Sequence, residues 1–219
     1  MNPQKTKQRI KRAQKIIKEL KKLYPNWHTE LNHKTNLDFL VAIILSAQAT
    51  DKKVNEVTQK LFKKYKKLDD YLKVSKKEFE KDINQIGLFK SKAKNILAMA
   101  KMVKEDFNSK IPCSLEELTK LPGVGRKTAT VYMAEICGKV EGIAVDTHVA
   151  RLAWRLGLTD YKKDAKKIEK DLMKIVPRSQ WREFNGRLVL YGRYVCPARK
   201  HDCLNHPLTK IYPEADNRW

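Results

Sequence analysis

Apolar side chains recur three and four residues apart along most of the chain, the period of an α-helix. Ile10, Ala13, Ile16, Ile17, Leu20 and Leu23 define one face of a first predicted helix. Lys11, Arg12, Lys15, Lys18, Lys21 and Lys22 fall on the opposite face, expected to be solvated, and Pro25 ends the segment. Residues 37–49 are nearly all apolar, which predicts a buried helix. Val54, Val57, Leu61, Phe62 and Tyr65 mark the next one. Ala93, Ile96, Leu97, Ala100, Val103 and Phe107 mark another, with Pro112 beyond it. Ser114 and Glu117 have the spacing of a capping box, so a short helix is expected to about Lys120. No Asn-Gly turn joins alternating apolar runs, and no segment needs a strand. The expected fold class is therefore all-α. No internal repeat and no Ser/Gly/Pro linker divides the chain, so a boundary between two lobes would lie within helical packing.

Composition narrows the partners. The 219 residues hold 47 Lys and Arg against 25 Asp and Glu, a net charge of +22, while 42% are hydrophobic. That balance describes a globular basic protein rather than a disordered tail. A surface so positive attracts polyanions, nucleic acid first and an anionic membrane surface second. The longest wholly apolar run, Phe39 to Leu45, falls far short of the roughly 20 residues of a spanning helix. The N-terminus lacks an apolar signal core, so secretion is not expected. Four cysteines make no disulfide scaffold, and a reduced, cytoplasmic, nucleoid-associated protein is expected.

Two motifs carry chemistry. In Leu121-Pro122-Gly123-Val124-Gly125-Arg126-Lys127-Thr128-Ala129, Pro122 stops one helix and another starts near Arg126. Glycines on either side of Val124 allow a sharp turn and close approach to another surface. Amides at the start of the following helix suit an anion, and Arg126 adds charge. A short helical hairpin with two structural glycines is the plainer alternative. In Val145-Asp146-Thr147-His148-Val149-Ala150-Arg151, Asp146 precedes an apolar-periodic segment, where an N-cap is its simplest role.

Together these stretches resemble the helix-hairpin-helix DNA glycosylases of the endonuclease III family. Leu45-Ser46-Ala47-Gln48-Ala49-Thr50-Asp51, Gly87-Leu88-Phe89-Lys90-Ser91-Lys92-Ala93 and Gly192-Arg193-Tyr194-Val195-Cys196 extend the resemblance, in the family's order, over roughly residues 30–205. The resemblance implies a two-lobed fold: a six-helix lobe over residues 29–140, and a second lobe from 1–28 and 141–219. It implies a monomer that removes oxidised pyrimidines from duplex DNA by base excision repair and cuts 3′ to the abasic site by β-elimination. Lys127 matches the family's nucleophile, desolvated and flanked by positive charge, and Asp146 its carboxylate. Gln48 and Leu88 match the side chains that enter the duplex when a base is flipped. Gly123, Val124, Gly125 and Arg126 match the phosphate-gripping hairpin. His148, expected in the base pocket, with a DNA contact or a structural histidine as the alternatives, and Arg193 complete the DNA-contacting set. The alternatives are a DNA-binding module without catalysis, and a related glycosylase for adenine or 8-oxoguanine.

The C-terminal segment departs from the family. The resemblance implies a [4Fe–4S] cluster on four cysteines spaced Cys-x6-Cys-x2-Cys-x5-Cys. Here Cys196 and Cys203 fit the first two positions, but His206 and Tyr212 stand at the others. Four thiolates are the usual requirement, so the cluster is expected to be absent. The expectation is a metal-free loop with two free thiols, packed by Tyr194 and Tyr212. The alternative is zinc held by Cys196, Cys203 and His206, with His201, Asp202 or water fourth. Arg193, Arg199 and Lys200 remain available for phosphates.

Overall fold

The computed structural model describes residues 3–218, and all the regular structure in that range is helical. The helices are α1 (Pro3–Leu23), α2 (Asn36–Ser46), α3 (Asp51–Lys64), α4 (Leu68–Lys73), α5 (Lys76–Asp82), α6 (Phe89–Asp106), α7 (Leu115–Leu118), α8 (Arg126–Ile136), α9 (Thr147–Arg155), α10 (Ala165–Ile175), α11 (Trp181–Tyr194) and α12 (Pro207–Ile211). Short 3-10 turns lie at Arg178–Gln180 and Pro213–Ala215. The chain divides into two compact units. One comprises residues 29–139; the other joins residues up to 28 with those from 140 onward. No helix among the described residues is long and apolar enough to cross a membrane.

The unit of residues 29–139 is built round α2. Its N-terminus is fixed by a capping box: Thr35 accepts from the Asp38 amide and Asp38 accepts from the Thr35 amide. The run from Phe39 to Leu45 is buried on every side, so this helix has no solvated face. Val54, Val57 and Leu61 of α3 and Ala93, Ile96, Met99, Ala100 and Val103 of α6 complete the core around it. Each fully buried large aliphatic contributes about 1.5–3 kcal/mol. The expected short helix after Ser114 forms as α7, with Ser114 accepting from the Glu117 amide at 3.2 Å.

In the other unit α1 buries Ala13, Ile16 and Leu20. The expectation that Arg12 lies on a solvated face does not hold. Its Nη1 donates to the carbonyls of Gly157 (2.8 Å) and Leu156 (3.3 Å), and its guanidinium stacks 3.7 Å from the Tyr212 ring centroid. Arg9, 2% exposed, donates to the Gly157 carbonyl and to Asp160 at 2.6 Å. The cause is the C-terminus of α9. The helix ends at Arg155, Gly157 just beyond its cap takes φ +62°, and the carbonyls of Leu156 and Gly157, at the negative end of the helix dipole, meet two guanidinium groups from α1.

Candidate active site and nucleic-acid interface

Residues 114–137 build the hairpin. Gly123 takes φ +81°, and a Cβ there would lie 2.9 Å from Asn95 Cβ, so the turn sits hard against α6. Val124 is buried and anchors the turn in the core. Gly125 is the N-cap of α8 in an extended conformation, and a Cβ on it would meet nothing within 4 Å. The amides opening α8 thus start at an uncrowded surface, the arrangement that suits a phosphate. Arg126 and Lys127 are the first two residues of α8, and both are exposed. The sequence expectation of a desolvated Lys127 is therefore not met in the protein alone. A disulfide joins Cys113, just before the cap of α7, to Cys137, the C-cap of α8, with their Cα atoms 5.9 Å apart. This overturns the expectation of reduced thiols throughout. The hairpin returns the chain on itself, so residues 24 apart in sequence bracket both its helices.

Gln48 and Leu88 lie on neighbouring loops of the same unit. A Cβ on Gly87 would be 3.9 Å from the Gln48 carbonyl oxygen. Both residues are exposed, Leu88 by 59%, and both hold left-handed backbone, φ 55° and 60°. Neither is a glycine, so each conformation costs on the order of 1–2 kcal/mol. Sequence reasoning missed the residue that fixes them. Lys92, 5% exposed, donates through Nζ to the carbonyls of Leu45 (2.8 Å) and Ala47 (2.6 Å), tying the first turn of α6 to the end of α2. Burial pulls its pKa below the ordinary lysine value. The only signal was a lysine amid an apolar helical stripe.

Asp146 lies in the other unit, half-buried. It does cap α9, accepting from the Val149 amide at 2.8 Å. It also lines a cavity of about 510 Å³ with Ala150, Arg151, Trp154 and Lys162. His148 is not among the residues lining that cavity. It packs on Gly192, where a Cβ would lie 2.9 Å from His148 Cβ and Nδ1. Burial lowers the His148 pKa, Arg151 and Arg193 push the same way, and Asp146 opposes them. Arg151 holds α9 to the end of α11 by donating to the carbonyls of Cys196 (2.7 Å) and Gly192 (3.1 Å).

The C-terminal loop is not arranged as the sequence suggested. Tyr194 is 67% exposed, so it does not bury the loop. Tyr212 is engaged elsewhere, under Arg12 and bonded to Glu214. Cys196 and Cys203 are both free thiols, as expected, and both are buried. The buried guanidinium of Arg155 donates to Cys196 Sγ (3.1 Å) and Cys203 Sγ (2.8 Å), and also to the Ala215 carbonyl. Donor atoms of Cys196, His201, Cys203 and His206 all lie within 4.8 Å of one another. This set could hold a metal ion. With two sulfurs and two imidazoles, and Tyr212 turned away, it does not fit a four-thiolate cluster.

Comparison with known proteins places these features. Residues 41–178 match the HhH-GPD superfamily of base excision DNA repair proteins. The chain is 42% identical to endonuclease III of Bacillus subtilis (strain 168) over 95% of each protein. It is 44% identical to endonuclease III of Synechocystis sp. over 93% of each. It superposes with a TM-score of 0.90, at 41% identity, on a trapped endonuclease III–DNA covalent intermediate, covering 95% of this chain and 98% of that one. The chain belongs to this superfamily and, within it, to the endonuclease III family of DNA glycosylase/AP lyases, whose partner is duplex DNA with damaged bases.

Proposed function

We propose that this protein excises oxidised pyrimidines from duplex DNA through a Schiff base on Lys127 and then cuts the strand 3′ to the abasic site. The observation that carries this reading is the position of Lys127. It is the second residue of α8, directly behind an uncrowded glycine turn. Gly123, Val124, Gly125 and Arg126 grip a phosphate there through backbone amides and one guanidinium. The neutral Lys127 amine attacks the sugar C1′, the damaged base leaves, and loss of the ring oxygen bond gives the iminium. Removal of a C2′ proton then expels the 3′ phosphate. Lys127 is exposed in the free protein, so its amine is open to incoming DNA. Asp146 offsets the positive charge that develops on the sugar as the glycosidic bond breaks. Gln48 and Leu88 occupy the space the flipped base leaves, the first bonding base edges and the second acting as an apolar wedge. His148 and Arg193 contact the DNA from the second unit. The protein acts as a monomer, and no step needs an iron–sulfur cluster.

The test is a set of duplexes carrying thymine glycol, an abasic site or 8-oxoguanine, incubated with protein and borohydride. Covalent trapping on thymine glycol and abasic DNA is expected, with little on 8-oxoguanine. Lys127→Gln should abolish trapping and cleavage and leave DNA binding nearly intact; a variant that still traps has another nucleophile. Asp146→Asn should keep the fold, since Asn caps about as well as Asp, yet slow base release by orders of magnitude. Unchanged release would reduce Asp146 to a helix cap.

A further inference from the structure

We propose that Cys196, His201, Cys203 and His206 form a structural zinc site, which stands where the resemblance implied an iron–sulfur cluster. The four donors lie in one short loop between α11 and α12, spaced Cys-x4-His-x-Cys-x2-His. Two thiolates and two imidazoles in tetrahedral array are a donor set for zinc. With Zn–S near 2.3 Å and Zn–N near 2.0–2.1 Å, the donors of a closed site stand about 3.4–3.8 Å apart. Here all are already within 4.8 Å, so closure takes shifts of about an ångström or less. A [2Fe–2S] cluster on two Cys and two His is the iron alternative. It places the cysteines on one iron and the histidines on another, which spreads the donors beyond such a compact group.

The surroundings are those of a bound metal. His206 Nδ1 is buried and has no hydrogen-bond partner among the described residues. His201 Nδ1 lies 2.6 Å from the Arg199 carbonyl. A carbonyl only accepts, so Nδ1 carries the proton and Nε2 keeps the lone pair, the tautomer of a metal ligand whose ring is oriented by a backbone carbonyl. Arg155, 2% exposed, donates to both sulfurs from one side and leaves their other lone pairs for an ion. The Cys203 thiol also donates to Asp216 at 3.3 Å, which fixes the sulfur from the other side. An arginine-capped pair of thiols would account for Arg155 but not for two imidazoles gathered on the same sulfurs. All four positions are filled by protein, so the ion is structural and activates no water. It fixes the loop that carries Arg199 and Lys200.

Elemental analysis of the full-length protein, expressed without added metal, should find one zinc per chain and no stoichiometric iron. Cys203→Ser and His206→Ala should each lower bound zinc more than about tenfold, while Asp202→Asn keeps it. Arg155→Gln should weaken zinc binding about 10–100-fold without removing a ligand. Should the ligand variants fail to fold, wild-type protein stripped of metal and reloaded with Co(II) gives the answer. Tetrahedral cobalt–thiolate bands in the visible support the site. Stoichiometric iron with sulfide, or metal-free protein that takes up neither zinc nor cobalt, overturns it.

Discussion

Leu88 combines two features that a folding protein ordinarily avoids. It is a large apolar side chain left 59% exposed, and its backbone sits at φ 60° as the N-cap of α6. Strain of this kind persists where the surroundings over-determine it, and functional sites are where it collects. The strain and the wedge can be separated by experiment. Leu88→Ala and Leu88→Gly both remove the wedge, and only the glycine relieves the backbone. Leu88→Gly should be the more stable of the two by about 1 kcal/mol in urea unfolding, the reverse of the order at an ordinary helical position. Both should lose affinity for damaged duplex to a similar degree. A more stable alanine variant would mean that the left-handed backbone is not what the solution protein holds. Lys92 supplies the over-determination on the facing side, through its two bonds to the end of α2. Lys92→Met keeps the length but removes the donor, leaving two carbonyls without it. A loss of about 1–3 kcal/mol is expected, with base release impaired at temperatures where the variant is still folded. Normal activity in a destabilised Lys92→Met would show that Lys92 serves the core and not the loops.

Helix ends, turns and close approaches decide how the elements present these residues. The start of α8, the cap of α7 and the cap of α9 were legible in the sequence because their signals are local. They are two glycines after a proline, a serine with a glutamate three residues on, and an aspartate before an apolar stripe. The tasks of Lys92, Arg9, Arg12 and Arg155 were not legible. Their partners lie some 41 to 151 residues away, and a cation on a helix looks alike whether its acceptor is water or a distant carbonyl. The Cys113–Cys137 bond was missed for a related reason: only the folded hairpin brings its two ends together. Gly192 was legible as part of a motif, but its reason appears only in the packing. It lets α11 pass against His148 and Leu152 of α9, where a Cβ would come within 2.9 and 3.1 Å. Gly192→Ala must push α9 aside and should cost about 1–3 kcal/mol. Because α9 carries Asp146 at its N-terminus, base release should fall further than stability does, measured well below the melting temperature. Equal activity in the variant would mean that α9 can shift without moving the carboxylate.

The charge of the whole molecule is the feature the sequence states most plainly and the structure qualifies most. Of the cations behind the net +22, Arg9, Lys92, Arg155 and Arg187 are buried on carbonyls, carboxylates or sulfurs, so they hold helices together rather than face a ligand. Several surface lysines are paired with carboxylates, such as Lys64 with Glu78 and Asp82 and Lys104 with Asp69. Exposed pairs of this kind add little to stability. The lysines on the outer face of α1, together with Arg126 and Lys127, remain exposed and contribute to a positive field. Such a field attracts any duplex, damaged or not, and the phosphates it neutralises release counterions. With 4 to 6 phosphates engaged, the log–log slope of affinity against salt is about −3.6 to −5.4, a loss of roughly 150- to 1,800-fold between about 50 and 200 mM salt. The same slope is expected on undamaged and abasic duplexes, because the hairpin and the lysines hold backbone and not bases. Arg126→Ala should flatten the slope by about one contact on both duplexes. Leu88→Ala should leave the slope unchanged while lowering affinity for the abasic duplex alone. Fluorescence anisotropy over that salt range measures all of this; a flat titration would show that the excess charge is not used on DNA.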